Sequence, residues 1–200
     1  MVIGLDISTS CIGICYMTDS GRLIKLEHLV LESKENNDQF KIIEKSLLFK
    51  EKLKEELNDM EGISKNIHHV FVESPQGGSQ NPTTQSMLFA MNTLCCYHIE
   101  NLFSFKPKMI TVREARQIFL PEFLHINKQG KKVWSYTKLK KADPKFQIKE
   151  YVRKRVDEKE NKIEWIYKKR DQSIHKYSYD QSDAYVVAFS GLRKYGVLTK

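Results

Sequence analysis

Short apolar runs at the start of the chain predict three β-strands. Val2–Ser8 and Ile12–Thr18 are rich in isoleucine and valine, and Leu23–Leu31 alternates partly between apolar and polar residues. An Asp-Ser-Gly sequence at 19–21 supplies a turn before the third run. Because the connections are short, the three strands are predicted to pair as an antiparallel meander.

The hydrophobic period changes after this meander. An amphipathic helix is predicted around residues 36–60, with lysines and glutamates opposite an apolar face. That face is predicted to comprise Phe40, Ile43, Leu47, Leu53 and Leu57. Ile67–Glu73 then returns to a strand pattern, and Ser74-Pro75 ends it.

The second half of the chain alternates helices with one more strand. Asn81-Pro82 or Thr83 is predicted to cap a helix with apolar residues from Met87 to Phe103. The later elements are predicted to be a strand at Lys108–Val112, a short helix at Val112–Leu120, a helix from Pro144 to about Asp157 and a closing helix at Ser182–Lys194. Residues 122–143 lack clear periodicity and are predicted to form a long basic loop.

This order of elements predicts an α/β fold. Three antiparallel strands, followed by strands joined through helical crossovers, favour a mixed five-stranded sheet with helices on both faces. No repeat, low-complexity tract or linker interrupts the 200 residues, so a single domain over 1–200 is expected.

Composition narrows the class of partner. Apolar residues make up 40% and charged residues 29% of the chain, which is typical of a globular protein. The net charge of +8 favours a polyanion as the partner. No apolar stretch reaches the ~18–20 residues of a membrane span, and no secretory signal is visible, so a cytoplasmic protein without membrane association is expected. The four cysteines lack zinc-site spacing and are predicted to be reduced, mostly buried thiols.

Four acids occupy positions where sites are often built. Asp6 interrupts the apolar first strand, Glu73 ends the fourth strand, and Asp180 and Asp183 flank the predicted start of the last helix. The first and fourth strands can be neighbours in such a sheet. Residues three apart at a helix start point to the same side. The four carboxylates are therefore predicted to converge.

Convergence of these acids predicts divalent cations. Two carboxylates ~4 Å apart repel by about 4 kcal/mol at an effective dielectric constant near 20, and a cation removes that cost. Hard oxygen ligands favour Mg²⁺ or Mn²⁺, and two such ions ~3.5–4 Å apart are a recurrent device for phosphodiester cleavage. Each acid also has a structural interpretation. Asp6 could be a strand-end residue held by a neighbouring turn, and Glu73 could begin a polar loop. Asp180 could be an N-cap and Asp183 an acid that favours the first turn of a helix.

Several motifs resemble one family of nucleases. The sequences IGLDIS at the start, VFVE at 70–73 and DQSDAYVVAF at 180–189, with a looser match of ADPKFQIKEYVRKRV at 142–156, are similar to the RuvC family of Holliday junction resolvases in the ribonuclease H-like superfamily. The resemblance implies that Asp6, Glu73, Asp180 and Asp183 bind two metal ions. It also implies a homodimer that nicks opposing strands of a four-way DNA junction, with Lys145 near the scissile phosphate.

The chain departs from the bacterial members of that family at three places. SPQGGSQNPTTQ follows Glu73 where the bacterial proteins carry an aromatic residue, and the nearest aromatic here is Phe89. The basic segment at 122–143 resembles an insertion, and residues 158–179 lengthen the approach to the last acids. These departures favour a phage, viral or organellar relative. Host cytoplasm is then the expected location, since no organellar targeting sequence is visible.

Basic residues are concentrated between Lys128 and Arg155, and they predict a phosphate-binding surface with salt-dependent affinity. The residues predicted to bind DNA are Lys131, Lys132, Lys140, Lys141, Lys145, Lys149 and Arg153. A solvated lysine-rich face is the alternative interpretation. Trp134 and Tyr136 interrupt this run and either stack on bases or pack the segment.

Three functions remain open from the sequence. The first is a metal-dependent junction resolvase, and the second is a less selective ribonuclease H-like enzyme that cuts flaps, branched DNA or RNA–DNA hybrids. The third is a nucleic-acid-binding module without catalysis, which the complete set of four acids disfavours. Actin-like ATPases share a strand followed by Asp-x-x-x-Ser, but they need two such domains.

Overall fold

A five-stranded mixed sheet forms the centre of the fold. The computed structural model describes residues 1–60, 66–75, 81–143, 146–161 and 163–197. The strands are β1 (Val2–Ile7), β2 (Cys11–Met17), β3 (Leu23–Val30), β4 (His69–Ser74) and β5 (Lys108–Thr111), in the spatial order β3-β2-β1-β4-β5. The first three pair antiparallel, and β4 runs parallel to both β1 and β5. The predicted fold class is confirmed.

Six helices connect and cover this sheet in the described ranges. They are α1 (Asp38–Asp59), α2 (Pro82–Phe103), α3 (Val112–Phe119), α4 (Thr137–Ala142), α5 (Ile148–Glu160) and α6 (Lys176–Lys194). The Asn81 side chain caps α2 and Pro82 occupies its first turn, as predicted. Thr111 and Glu114 form a capping box that begins α3 directly after β5.

The strands β1, β2 and β4 bury both of their faces, and each face of the sheet has its own helices. Ile3, Leu5 and Ile7 of β1 join the core under α1 and α2. Val2 joins the core under α3, α5 and α6. Because side chains alternate along a strand, Gly4 and Asp6 lie on the same side as Val2, beneath α6. The only acid of β1 therefore points at the helix that carries two others.

Glycines let α6 lie directly on the backbone of the sheet. A Cβ atom at Gly4 would lie 2.4 Å from the carbonyl oxygen of Ala184, and one at Gly13 would lie 2.0 Å from that of Asp180. Both distances are shorter than any real contact, so no larger residue fits without moving the helix. This close approach holds the Asp180 backbone against β2.

The predicted apolar face of α1 is partly wrong. Phe40, Ile43 and Leu47 are exposed, whereas the buried positions are Ile42, Ser46, Phe49 and Leu53. Leu53 belongs to both sets, and Leu57 is partly buried. Apolar residues cover more than half of the circumference of the helix. Periodicity alone therefore could not show which stripe meets the sheet.

The segment predicted to be a long basic loop is folded. A 3₁₀ turn at Pro121–Phe123 leads into strands β6 (Leu124–Ile126) and β7 (Lys132–Trp134), which pair antiparallel, and α4 follows. Three-residue strands are too short to show a period, which is why the sequence pattern missed them. Trp134 packs against Phe123 and Tyr136, with ring centroids 5.7 and 5.8 Å away. Trp134 and Tyr136 therefore take part in the internal packing of this segment.

The last two helices begin at different residues from those predicted. Helix α5 runs from Ile148 to Glu160, and the predicted start at Pro144 lies outside the described residues. Helix α6 begins at Lys176 with His175 as its N-cap, so Asp180 lies in its second turn and is not a cap. All four cysteines are free thiols. In the described ranges, no helix has the length and apolar character needed to cross a membrane.

Candidate active site

Two of the predicted acids lie side by side at one end of the sheet. Leu5 of β1 is paired with Val72 of β4 in parallel register, and Asp6 and Glu73 are the next residues along. Glu73 lies on the same side of its strand as Phe71, whose ring contacts Gly191 of α6. Both carboxylates therefore face the helix layer. The buried Asn92 of α2 donates a hydrogen bond to the Glu73 carbonyl oxygen at 3.1 Å and fixes the strand end.

The other two acids come from α6. Asp183 is buried, and Asp180, one turn earlier, is partly exposed. Burial, followed by the charges of Glu73, Asp183 and Asp180, raises the pKa of Asp6 well above its usual range. Each of the other three acids therefore acts electrostatically on Asp6. Of the four predicted acids, the structure thus gathers Glu73, Asp180 and Asp183 around Asp6, within range of its charge.

Known structures share this arrangement of elements. No protein-family model matches the chain, and no curated protein matches it either. A structure of Thermus thermophilus RuvC in complex with a Holliday junction substrate matches with a TM-score of 0.59 and 11% identity, covering 98% of this chain and 94% of that one. A second Thermus thermophilus RuvC structure matches with a TM-score of 0.56 and 12% identity, covering 98% and 96%. The chain has the RuvC fold. The resemblance suggested by the sequence motifs is thus confirmed for the fold.

The pKa of Glu73 is also raised in this site. Burial and the charge of Asp183 raise its pKa to about 8, although Arg116 and Lys149 act in the opposite direction. Burial and mutual repulsion thus favour the protonated forms of both Asp6 and Glu73 when no counter-ion is present. This electrostatic strain is a property of the site that a bound cation would relieve.

Arg116 is a site residue that the sequence analysis missed. Its guanidinium lies 3.4 Å from an Asp183 carboxylate oxygen, and its buried Nε has no hydrogen-bond partner among the described residues. Helix α3 carries it there, and Ser190 of α6 anchors α3 by donating a hydrogen bond to the Ala115 carbonyl oxygen at 2.8 Å. No sequence signal separates Arg116 from Arg113 on the same helix, because only the packing of α3 on α6 distinguishes them.

Cys11 is a second residue that the sequence analysis did not assign to the site. Its buried thiol lies close enough to the Asp180 carboxylate to affect the pKa of Asp180. Burial raises the pKa of Asp180, and the neighbouring thiol and the charge of Lys149 partly offset that effect. Cys11 precedes Gly13 by two residues on the same side of β2. The thiol therefore lies beneath the same turn of α6.

The donor set fits a hard divalent cation. All four predicted ligands are carboxylates, and they come from strand ends and a helix anchored on the sheet. A divalent cation would offset the repulsion that raises the pKa values of Asp6, Glu73 and Asp180. Across the described ranges, however, no three acidic, histidine or cysteine side chains form a ready-made metal cage.

The residues predicted to bind DNA fall into four groups, of which three contain only lysines. Lys131, Lys132, Lys140 and Lys141 are exposed on the segment that contains β6, β7 and α4. Lys149 reaches the acids, with its Nζ 4.0 Å from an Asp183 oxygen. Lys145 lies outside the described residues.

Arg153 is placed differently from the prediction. It is buried, makes hydrogen bonds of 2.9 and 3.2 Å with the Glu150 carboxylate, and lies 5.4 Å from the centre of the Trp165 ring. Its guanidinium is therefore engaged in packing α5 and is not available on the surface. Sequence periodicity could not reveal this, because Arg153 is flanked by exposed cations.

Proposed function

We propose that the protein is a divalent-metal-dependent endonuclease that nicks opposing strands of four-way DNA junctions. The observation that carries this proposal is the convergence of Asp6, Glu73, Asp180 and Asp183 on one face of a RuvC fold. Thermus thermophilus RuvC is described in complex with a Holliday junction substrate. The positive charge of this chain is also consistent with a nucleic-acid substrate.

The four acids would hold two Mg²⁺ or Mn²⁺ ions. Bound there, such ions would activate a water molecule and stabilise the leaving oxygen of a phosphodiester. Asp6 and Glu73 are carried on rigid neighbouring strands, so their carboxylates are positioned before any substrate arrives. Arg116 supports Asp183 and neutralises part of the negative charge of the site. Lys149 lies at its exposed edge and can contact a phosphate entering from solvent.

A homodimer would place two such sites on one junction. Helices α1 and α2 are packed together, and the groove between them is lined by Ile42, Ile43, Met87, Ala90 and Leu94. Phe40, Ile43 and Leu47 extend this apolar surface into solvent. A contiguous apolar surface of this kind is typical of a protein–protein interface. It lies on the face of the sheet opposite α6, so pairing through it would leave both sets of acids accessible.

The decisive experiment is a nuclease assay on matched substrates. A synthetic four-way junction, a flap, a linear duplex and an RNA–DNA hybrid would each be incubated with Mg²⁺, with Mn²⁺ or with EDTA. The proposal expects metal-dependent, paired nicks in the junction. Cleavage of every substrate at equal rates would instead support the second candidate, a less selective ribonuclease H-like nuclease acting on flaps, branched DNA or hybrids. No cleavage with either metal would contradict both.

A further inference from the structure

The β6–β7 hairpin is fixed firmly at its base. Phe123 packs against Trp134 and against Tyr151 of α5, with ring centroids 5.7 and 5.1 Å away. The indole N–H of Trp134 donates a hydrogen bond to the Leu120 carbonyl oxygen at 3.0 Å. The Ser135 N–H donates another to the Phe123 carbonyl oxygen at 3.1 Å. The hairpin therefore has a fixed orientation relative to α5.

The tip of the hairpin also has a defined shape. The Asn127 side-chain oxygen accepts hydrogen bonds from the backbone N–H groups of Gln129 and Lys131 at 2.9 and 3.0 Å. Gly130 adopts a φ of +74°, a conformation that favours glycine and closes the turn. The side chains on either side of this turn are consequently presented at fixed positions.

The surface around the tip carries positive charge only. Between residues 123 and 142 the sequence has several lysines and no aspartate or glutamate. Within the described part of the chain, Lys128, Lys131, Lys132, Lys140 and Lys141 form no ion pair. Lysines of α1 differ, because Lys41 and Lys52 are each paired with an acid on the same helix. Because no acid in the described ranges neutralises these lysines, the ligand that matches the charge of the hairpin is a polyanion from outside the chain.

An exposed apolar side chain lies among these lysines. Ile126 is 69% exposed, the highest value among the large apolar residues in the described ranges. It lies directly opposite Lys132 in the ladder, and Leu124, 42% exposed, points to the same side of β6. An aliphatic side chain flanked by phosphate-binding cations is the arrangement with which DNA-bending proteins insert a wedge between base steps.

We propose that the β6–β7 hairpin contacts the branch point of the DNA substrate, with Ile126 against the bases and the neighbouring lysines on the flanking phosphates. This inference rests on the proposed function, because it assumes a branched DNA. In the open form of a four-way junction, each base at the branch lacks a stacking neighbour on one side, so contact with it costs less unstacking energy. The base of the hairpin packs on Tyr151 of α5. Lys149, two residues earlier in the same turn of α5, lies beside Asp183. This turn of α5 therefore connects the hairpin that carries Ile126 to the acids.

Binding measurements in Ca²⁺ with the full chain test this proposal. Fluorescence anisotropy would compare wild type, Ile126→Ala and the control Ile24→Ala on a four-way junction and on a linear duplex of the same sequence. Ile24 is 36% exposed on β3, at the edge of the central sheet, so its substitution removes an exposed isoleucine from an element other than the hairpin. Ile126→Ala should weaken junction binding about tenfold more than duplex binding. The control should bind both DNAs as wild type does.

Two further measurements separate the contribution of Ile126 to DNA binding from that of the lysines. A 2-aminopurine base beside the branch should brighten when wild type binds, and brighten less with Ile126→Ala. Replacing Lys131 and Lys132 with glutamine should weaken binding to both DNAs and lower the salt-dependence slope by about 2.

The outcomes distinguish this inference from the proposed function. If wild type binds junction and duplex equally and cuts neither preferentially, the proposed function fails and this inference fails with it. If wild type prefers the junction but Ile126→Ala keeps the same preference and the same 2-aminopurine signal, only the role of the hairpin is overturned.

Discussion

Asp6 and Glu73 occupy equivalent ends of two neighbouring parallel strands, each one residue beyond the Leu5–Val72 pair. Both face α6, and the charge of Glu73 is the largest electrostatic contribution to the raised pKa of Asp6 after burial. Two carboxylates placed in this way repel each other unless a proton or a cation lies between them. The predictions below follow from that relationship and from the residues that hold it in place.

Replacing Asp6 with asparagine should reduce junction cleavage at least about 1,000-fold while junction binding is retained, because the change removes a charged ligand and keeps the shape of the side chain. Single-turnover cleavage and anisotropy on the same junction measure the two effects. Asp59→Asn, on the exposed end of α1, is the matched control and should cut at the wild-type rate. Full activity of Asp6→Asn would remove this residue from the site.

Stability without metal should depend on pH through Glu73. Its pKa is raised from 4.5 to about 8 in the folded protein, so the folded state retains a proton that the unfolded state has lost. The protein should therefore lose stability as pH rises from about 4.5 to 8, with a decrease in Tm of about 5 °C or more. Glu73→Gln should flatten this dependence. Thermal melts in EDTA across the pH range test it, and a wild-type Tm that rises towards pH 8 would contradict it.

Arg116 should contribute to cleavage through Asp183 and Glu73. Arg116→Met removes a cation that opposes the rise in the pKa of Glu73, so the pH profile of cleavage should move to higher pH. The rate at neutral pH should fall about 10- to 100-fold. Arg116→Lys should recover part of the loss. Arg113→Met, on the exposed side of the same helix, should change neither the rate nor the profile.

Substitution of Gly13 should damage the site through the backbone. An alanine Cβ would lie 2.0 Å from the Asp180 carbonyl oxygen, so α6 must move away from β2. We expect Gly13→Ala to destabilise the protein by about 3 kcal/mol. Gly130→Ala is the comparison, because its Cβ would meet no atom within 4 Å and only its positive φ opposes the change. Denaturant unfolding that gives equal losses for the two variants would argue against the close approach of α6.

The Cys11 thiol should affect metal binding through Asp180. Cys11→Ala removes a neighbouring thiol that lowers the pKa of Asp180, so more Mg²⁺ should be needed for half-maximal cleavage, by a factor of about 5. Cys11→Ser keeps a donor and should lie closer to wild type. Cys95→Ser is the control, because Cys95 is buried in the core beneath α1 and α2, on the face of the sheet opposite α6. A Mg²⁺ requirement unchanged in Cys11→Ala would show that the thiol does not support Asp180.

The sheet and the four acids could be predicted from the sequence because strong local patterns mark them. The run around Asp6 combines isoleucine and valine with one carboxylate, which identifies both a strand and an unusual residue within it. Glu73 is marked in the same way by the end of an apolar run. These signals depend only on neighbouring residues, so no tertiary information was needed.

Other features depended on contacts between residues distant in sequence. Phe40 is exposed and Arg153 is buried because of which face of their helices meets the core. The sequence pattern of each helix is compatible with more than one buried face. The same limit applies to Arg116, which reaches Asp183 only because α3 packs on α6. The β6–β7 hairpin is stabilised by aromatic packing on α5. The sequence of a three-residue strand gives no sign of such a distant contact.

The meeting of Asp6 with Asp180 and Asp183 would couple the proposed nuclease activity to completion of the fold. An intermediate that has formed the three-stranded meander but has not yet docked α6 lacks half of the acids, so it would be unable to cleave DNA by the proposed mechanism. Cleavage competence would then appear in a refolding reaction as a late event, synchronous with docking of the last helix.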